Sequence, residues 1–199
     1  MKLYETLPDS VQVGRRRYRL DLDFRNVFRL MEVLERDDLL PESREYLALK
    51  CVMRRVPRHP APVLDAIRAL LFPERQKRTN EPRLTSFEQD ADLIRAAFRQ
   101  NYGIDLYRDK VHWIEFTALL GALPEGSRYA EVLGIRARPM PKPTKYNREE
   151  REWLMNAKAR YALHLTGAEA EKSLQDGLRM VAQSLLTMID SNAGGEDNG

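Results

Sequence analysis

The chain has 199 residues, 43% of them hydrophobic, enough for one sizeable core. Lysine and arginine total 33 against 30 acidic residues, and a net charge of +3 neither demands a polyanionic partner nor gives reason to expect nucleic acid. The single cysteine, Cys51, excludes an internal disulfide, the opening MKLYETLPDS lacks a signal-peptide core, and no apolar run is long enough to span a membrane.

Residues 11–20 read as a hairpin, because Val11, Val13, Tyr18 and Leu20 alternate with polar residues around Gly14. Two strands alone are marginal in water, so the hairpin must pack on helices or add to another chain's sheet edge. Arg15, Arg16 and Arg17 fit a phosphate-binding tip, but solvated charges that protect an edge strand are the simpler reading. Asp23 caps a helix with Phe24, Val27, Phe28, Met31 and Leu34 on one face. Pro41 opens a second helix, with Tyr46, Leu49, Val52 and Met53 as its stripe, running out at Val56-Pro57. Arg54, Arg55, Arg58 and His59 follow, where positive charge suits a helix carboxyl end. Pro60 and Pro62 start a short helix with Val63, Leu64, Ile67, Leu70 and Leu71, stopped by Pro73, and residues 74–85 read as a polar loop.

Ser86 and Gln89 have capping-box spacing, so a helix is expected from Ser86, with Glu88, Asp90 and Asp92 complementing its dipole. Phe87, Ala91, Ile94 and Phe98 form its buried stripe, and Gly103 ends it, with Tyr102 and Ile104 folding back on the last turn. Asp109 is expected to cap the next helix, whose Val111, Trp113, Ile114, Phe116, Leu119, Leu120 and Leu123 cover so wide an arc that it belongs near the middle of the fold. Tyr129, Val132 and Leu133 mark one more short helix. Pro139, Pro141 and Pro143 then make Arg136 to Lys145 an extended linker lined by basic residues.

Asn147 with Glu150 spells a capping box before Trp153, Leu154, Ala157, Tyr161 and Leu165, and Thr166 with Glu169 spells another. In the last helix Leu174, Leu178, Val181, Leu185 and Met188 follow the alternating four-and-three steps of a coiled-coil seam. Such a short seam cannot stand alone and needs a neighbour, a second copy or a partner helix. The whole reads as a mainly α protein: residues 1–138 a helical core with an amino-terminal hairpin, 139–146 a proline-rich linker, 147–190 a helical pair, and 191–199 a disordered tail.

No constellation of catalytic residues stands out. His59, His112 and His164 are far apart without a second ligand at metal spacing, and His112 beside Trp113 reads as a buried histidine donating to a backbone carbonyl. Cys51 reads as core, and phosphate loops and dinucleotide fingerprints are absent. The sequence therefore gives no enzyme, cofactor or metal assignment.

Several stretches together carry a resemblance. Phe87-x-Gln89-Asp90-Ala91-Asp92, Phe98, Tyr102 to Leu106, His112-Trp113 with Phe116, Ala118 to Pro124 and Ile135-Arg136 resemble the bacteriophage gene product fifteen family in order and spacing. More weakly, so do Leu7-Pro8, Val11 to Leu20 and Asp23-Phe24-Arg25. The departure is Ile114, where that family usually has a second tryptophan, which suggests a differently packed core. The resemblance implies a protein of long-tailed phages or prophages, encoded between tail-tube and tape-measure genes, a location typical of tail assembly chaperones. It brings no catalytic residues. The partners it implies are the tape-measure and tail-tube proteins and further copies of the chain, met in the host bacterial cytoplasm. Trp153, Tyr161, Leu174, Leu178, Val181, Leu185 and Met188 are the expected contact residues. The alternative is a minor structural protein at the tail or head-tail junction, or a nucleic-acid binder using Arg15, Arg16, Arg17, Arg54, Arg55 and Arg58.

Overall fold

All six phenylalanines of the chain and Trp113 join one network of ring contacts, and the helices are arranged around it. A computed structural model describes residues 5–72 and 84–164. In chain order these form β1 (Ser10–Val13), β2 (Arg16–Arg19), α1 (Phe24–Leu34), α2 (Pro41–Val52), α3 (Ala61–Leu71), α4 (Ala91–Tyr102), α5 (Trp113–Gly121), α6 (Arg128–Ala137) and α7 (Arg148–Arg160). The fold is mainly α, with one small antiparallel hairpin. The chain divides into two compact units between Pro143 and Thr144. Residues 165–199, which include Leu174, Leu178, Val181, Leu185 and Met188, lie outside the described residues, as does most of the expected 74–85 loop.

In the first unit, Val11 pairs with Tyr18 and Val13 with Arg16, leaving a two-residue loop. Gly14 has φ 59° while Arg15 does not take positive φ, the pattern of a type II′ turn, which glycine adopts without strain. Val11 and Leu20 are buried, and β1 packs on α3, so the hairpin has the helical support it requires. Asp23 caps α1 as expected, accepting from the Arg25 amide at 3.1 Å.

Several boundaries differ from the sequence reading. Helix α2 starts at Pro41 but stops at Val52, because Met53 turns to extended backbone and is itself buried. Its buried residues are Ala48, Leu49 and Val52, while Tyr46 is exposed, its ring beneath the Lys50 ammonium. Helix α4 starts at Ala91 and not at Ser86: the Ser86 hydroxyl does accept from the Gln89 amide at 3.3 Å, but within a separate turn that precedes the helix. Helix α5 is capped by His112, whose Nδ1 accepts from the Ile114 amide at 3.2 Å, instead of by Asp109, which accepts from the Asp105 amide at 2.8 Å. On α5 only Trp113 and Phe116 are buried, with Ile114, Leu119 and Leu120 half-buried, so the helix inserts one edge into the core. Arg136, read with the linker, belongs to α6 and is nearly buried. Ser127 caps that helix by accepting from Ala130.

Gly103 ends α4 with φ 69°, the left-handed conformation expected there. Tyr102 packs edge-on against Phe98 at 5.6 Å, and its hydroxyl donates to the Leu119 carbonyl at 2.8 Å, locking the end of α4 to α5.

In the second unit, α7 begins as expected at Arg148, but Asn147 makes no capping bond; its Oδ1 accepts from the Thr144 amide at 2.8 Å and closes the turn before the helix. Leu154 is the buried residue of α7. No helix among the described residues is long and apolar enough to cross a membrane.

Candidate partner-binding groove

Phe116 is the hub of the core. Its ring stacks on Phe24 at 4.8 Å, Phe98 at 5.2 Å and Trp113 at 5.9 Å, and meets Phe28 edge-on at 5.8 Å. Offset stacks and edge contacts at these separations add about 0.5–1.5 kcal/mol per pair to the area that they bury. Phe28 in turn meets Phe87 at 4.8 Å. Unlike Phe98 and Phe116, both Phe28 and Phe87 are only half-buried.

Their exposed edges line an open groove of about 750 Å³ between α1 and the approach to α4. Phe24, Phe28, Phe87 and Phe116 supply aromatic lining, Met31, Ile94 and Leu106 aliphatic surface, and Arg25, Arg29, Arg95, Glu32, Glu35 and Glu88 its charges. Tyr107 stands at one end, 68% exposed, with the Arg95 guanidinium 4.4 Å from its ring centroid. Apolar rings and charged groups of both signs thus share one lining.

Two charge pairs, each on a buried carboxylate, hold the walls. Asp23 receives Arg25 Nε at 2.8 Å and Nη2 at 2.9 Å, and Arg25 reaches across to donate to the Tyr107 and Asp109 carbonyls. Backbone bonds from Phe24 to Val111 and from Trp113 to Leu22 then bind the starts of α1 and α5 together. His112 completes this junction: with Nδ1 accepting from Ile114, Nε2 carries the proton and donates to the Pro8 carbonyl at 3.0 Å. The expected histidine-to-carbonyl bond is thus made.

Asp90 anchors the α4 wall. It is 1% exposed and receives Arg136 through two bonds of 2.7 and 2.8 Å, with the Ser86 amide donating at 2.9 Å. Arg136 also donates to the Leu84 carbonyl. Asp90, the residue that precedes the first turn of α4, therefore also holds α6 to α4, a role that the sequence did not reveal, and exposed Asp92 lies in the first turn as expected. Burial alone would push the Asp90 carboxyl up, but the bonds and charge of Arg136, with the Ser86 amide, hold it below the usual carboxylate range. Asp23 is lowered in the same way, burial being outweighed by Arg25.

The remaining candidate residues are scattered. Trp153 on α7 is 54% exposed and Tyr161 is half-buried beside Arg160. Cys51 is half-buried against the core and burial pushes its thiol up. Arg17 and Arg19 both pair with Asp9, which offsets part of the hairpin's positive charge. Among the described residues no cluster of histidine, cysteine, aspartate or glutamate converges as a metal site, and no buried side-chain polar atom lacks a hydrogen-bond partner.

The groove is absent from the sequence reading: Phe24 and Phe116 are buried in the core as expected, but Phe28 and Phe87, also assigned to it, are only half-buried. A usable signal was the supply of rings: two aromatic residues one turn apart on α1 and a third beside the α4 start exceed what one helix contact buries.

No curated protein and no solved structure gives a significant match to the chain. The family model described as Bacteriophage Gp15 protein matches residues 3–163, which covers everything from the hairpin to the end of α7. The chain thus belongs to the Bacteriophage Gp15 protein family.

Proposed function

We propose that this phage protein is a tail assembly chaperone: in the host bacterial cytoplasm it binds helical segments of the tape-measure protein and releases them as tail-tube subunits assemble around that protein. The observation that carries this reading is the aromatic groove between α1 and the α4 approach. The half-buried rings of Phe28 and Phe87 and the exposed ring of Tyr107 share this lining, and a trough beside a helix fits a helical ligand laid in by its apolar face. A tape-measure protein is long and helical, and its apolar stripes aggregate unless covered. Several copies of the chaperone would cover successive stripes, and binding by tube subunits would displace them by mass action, with no bond made or broken.

Trp153 and Tyr161 remain candidate contacts in this reading, and the seam from Leu174 to Met188 offers a second apolar surface by its sequence pattern. A nucleic-acid partner has less in its favour, because the net charge of +3 is small and Asp9 offsets part of the positive charge of Arg17 and Arg19. Co-expression with the tape-measure protein of the same phage tests the proposal. A soluble complex that survives purification is expected, and a tape-measure protein that stays insoluble and unbound refutes it.

A further inference from the structure

We propose that the groove selects a client helix by charge: an amphipathic segment whose apolar stripe spans about three turns and whose lysines or arginines lie over Glu32, Glu35 and Glu88. This inference rests on the chaperone reading and specifies which helices the groove accepts.

The groove is asymmetric along its length. At one end Arg25 donates to the Tyr107 and Asp109 carbonyls and Arg95 lies over the Tyr107 ring, so the first turn of α1, the 105–109 turn and α4 meet there. One turn further along α1, Phe28 meets Phe87. Glu32 and Glu35 follow beyond Phe28 on α1, toward the opposite end, and Glu88, next to Phe87 in the chain, shares the same lining.

The two ends also differ in how their charges are held. Arg25 is paired with Asp23 and Arg95 with Asp92, while Arg29, midway, donates to Asn26 Oδ1. Glu32, Glu35 and Glu88 are exposed and enter no ion pair among the described residues. Uncompensated negative charge beside an apolar trough favours a lysine or arginine, whose stem lies along the rings while its head reaches the carboxylates. The length follows from α1: Phe24 to Glu35 spans about 16 Å at 1.5 Å per residue, room for about three helical turns of a partner. A neutral or acidic helix would fill the same trough but leave those carboxylates unmatched.

The test uses the full chain and two fluorescently labelled amphipathic peptides sharing one leucine stripe, the first with lysines at one end, the second with glutamates there. The lysine peptide is expected to bind at least about tenfold more tightly, and to weaken as salt is added. The Glu32→Lys/Glu35→Lys/Glu88→Lys variant is expected to reverse the preference with an unchanged circular dichroism spectrum, since all three side chains are exposed. The milder Glu32→Gln/Glu35→Gln/Glu88→Gln variant should narrow it. Equal affinities, binding of neither peptide, or a preference that both variants leave unchanged overturns the inference. So does self-association of the wild-type chain that the lysine variant abolishes, which would assign the groove to a second copy. The chaperone reading is scored separately, by tape-measure retention. Equal retention by wild type and lysine variant keeps that reading and overturns charge selection, whereas peptide selectivity without tape-measure retention supports charge selection and removes the reading.

Discussion

Phe116 carries the core at the scale of single residues, because its ring lies within 6.3 Å of those of Phe24, Phe28, Phe87, Phe98 and Trp113. Truncating it removes all five contacts and leaves a cavity that rigid helices cannot close. Phe116→Ala should therefore lower unfolding stability by about 3–5 kcal/mol in a urea titration. A loss below about 1 kcal/mol would mean that the ring network is not the organising core. Asp90 is the second decisive residue. Its folded-state pKa is lowered, so its contribution is fully present above the ordinary carboxylate pKa of about 3.9 and is lost as pH falls through the lower folded value. Wild-type stability should thus decline below about pH 4, and part of that decline should vanish in Asp90→Asn. At neutral pH the same substitution leaves Arg136 nearly buried without its counter-charge, at a cost of about 3–5 kcal/mol. Replacing both partners by apolar residues of similar volume should recover much of the loss, and equal destabilisation by single and double variants would refute the pairing argument.

Among the elements, what could be read from sequence was what depends on neighbours in the chain. The Asp23 cap, the Gly14 turn and the Gly103 stop each need only a few adjacent residues, and each occurs where expected. Gly103 permits a clean check, because nothing lies within 4 Å of where a Cβ would stand, so Gly103→Ala should cost only the left-handed strain, about 1–2 kcal/mol. A melting temperature unchanged by that substitution would contradict the assignment. Contacts distant in sequence decided the rest. Asp109 and His112 were both able to cap α5, and the choice was made by strand-like pairing of residues 22–24 with 111–113 and by Pro8, which sequence spacing does not reveal. Asp90 looked like a dipole partner because Arg136 lies 46 residues away. Periodicity likewise identified Phe24 and Phe28 as apolar face, but not that one side of that face stays uncovered.

For the whole molecule, the motifs that carried the family resemblance turn out to hold one another in place. Asp90 grips Arg136, Asp23 grips Arg25, and His112-Trp113 ties the starts of α1 and α5, so these residues build the walls of the groove and leave its lining to the rings. A chain ending at Pro143 keeps all of these pairs within the first compact unit, so it should unfold cooperatively and still bind client helices. Full client retention by that truncation would remove Trp153, Tyr161 and the seam from Leu174 to Met188 from the contact surface, while complete loss would move the site there. In the proposed function this protein lends its aromatic groove to a tape-measure helix. Co-expression of the two proteins, with wild-type chain and with a Phe87→Ser/Tyr107→Ala variant that removes two groove rings, tests it most directly. A soluble complex with the wild type is expected, and a folded variant whose retention falls at least about tenfold. A tape-measure protein that is never retained, or is retained equally by both, would contradict it.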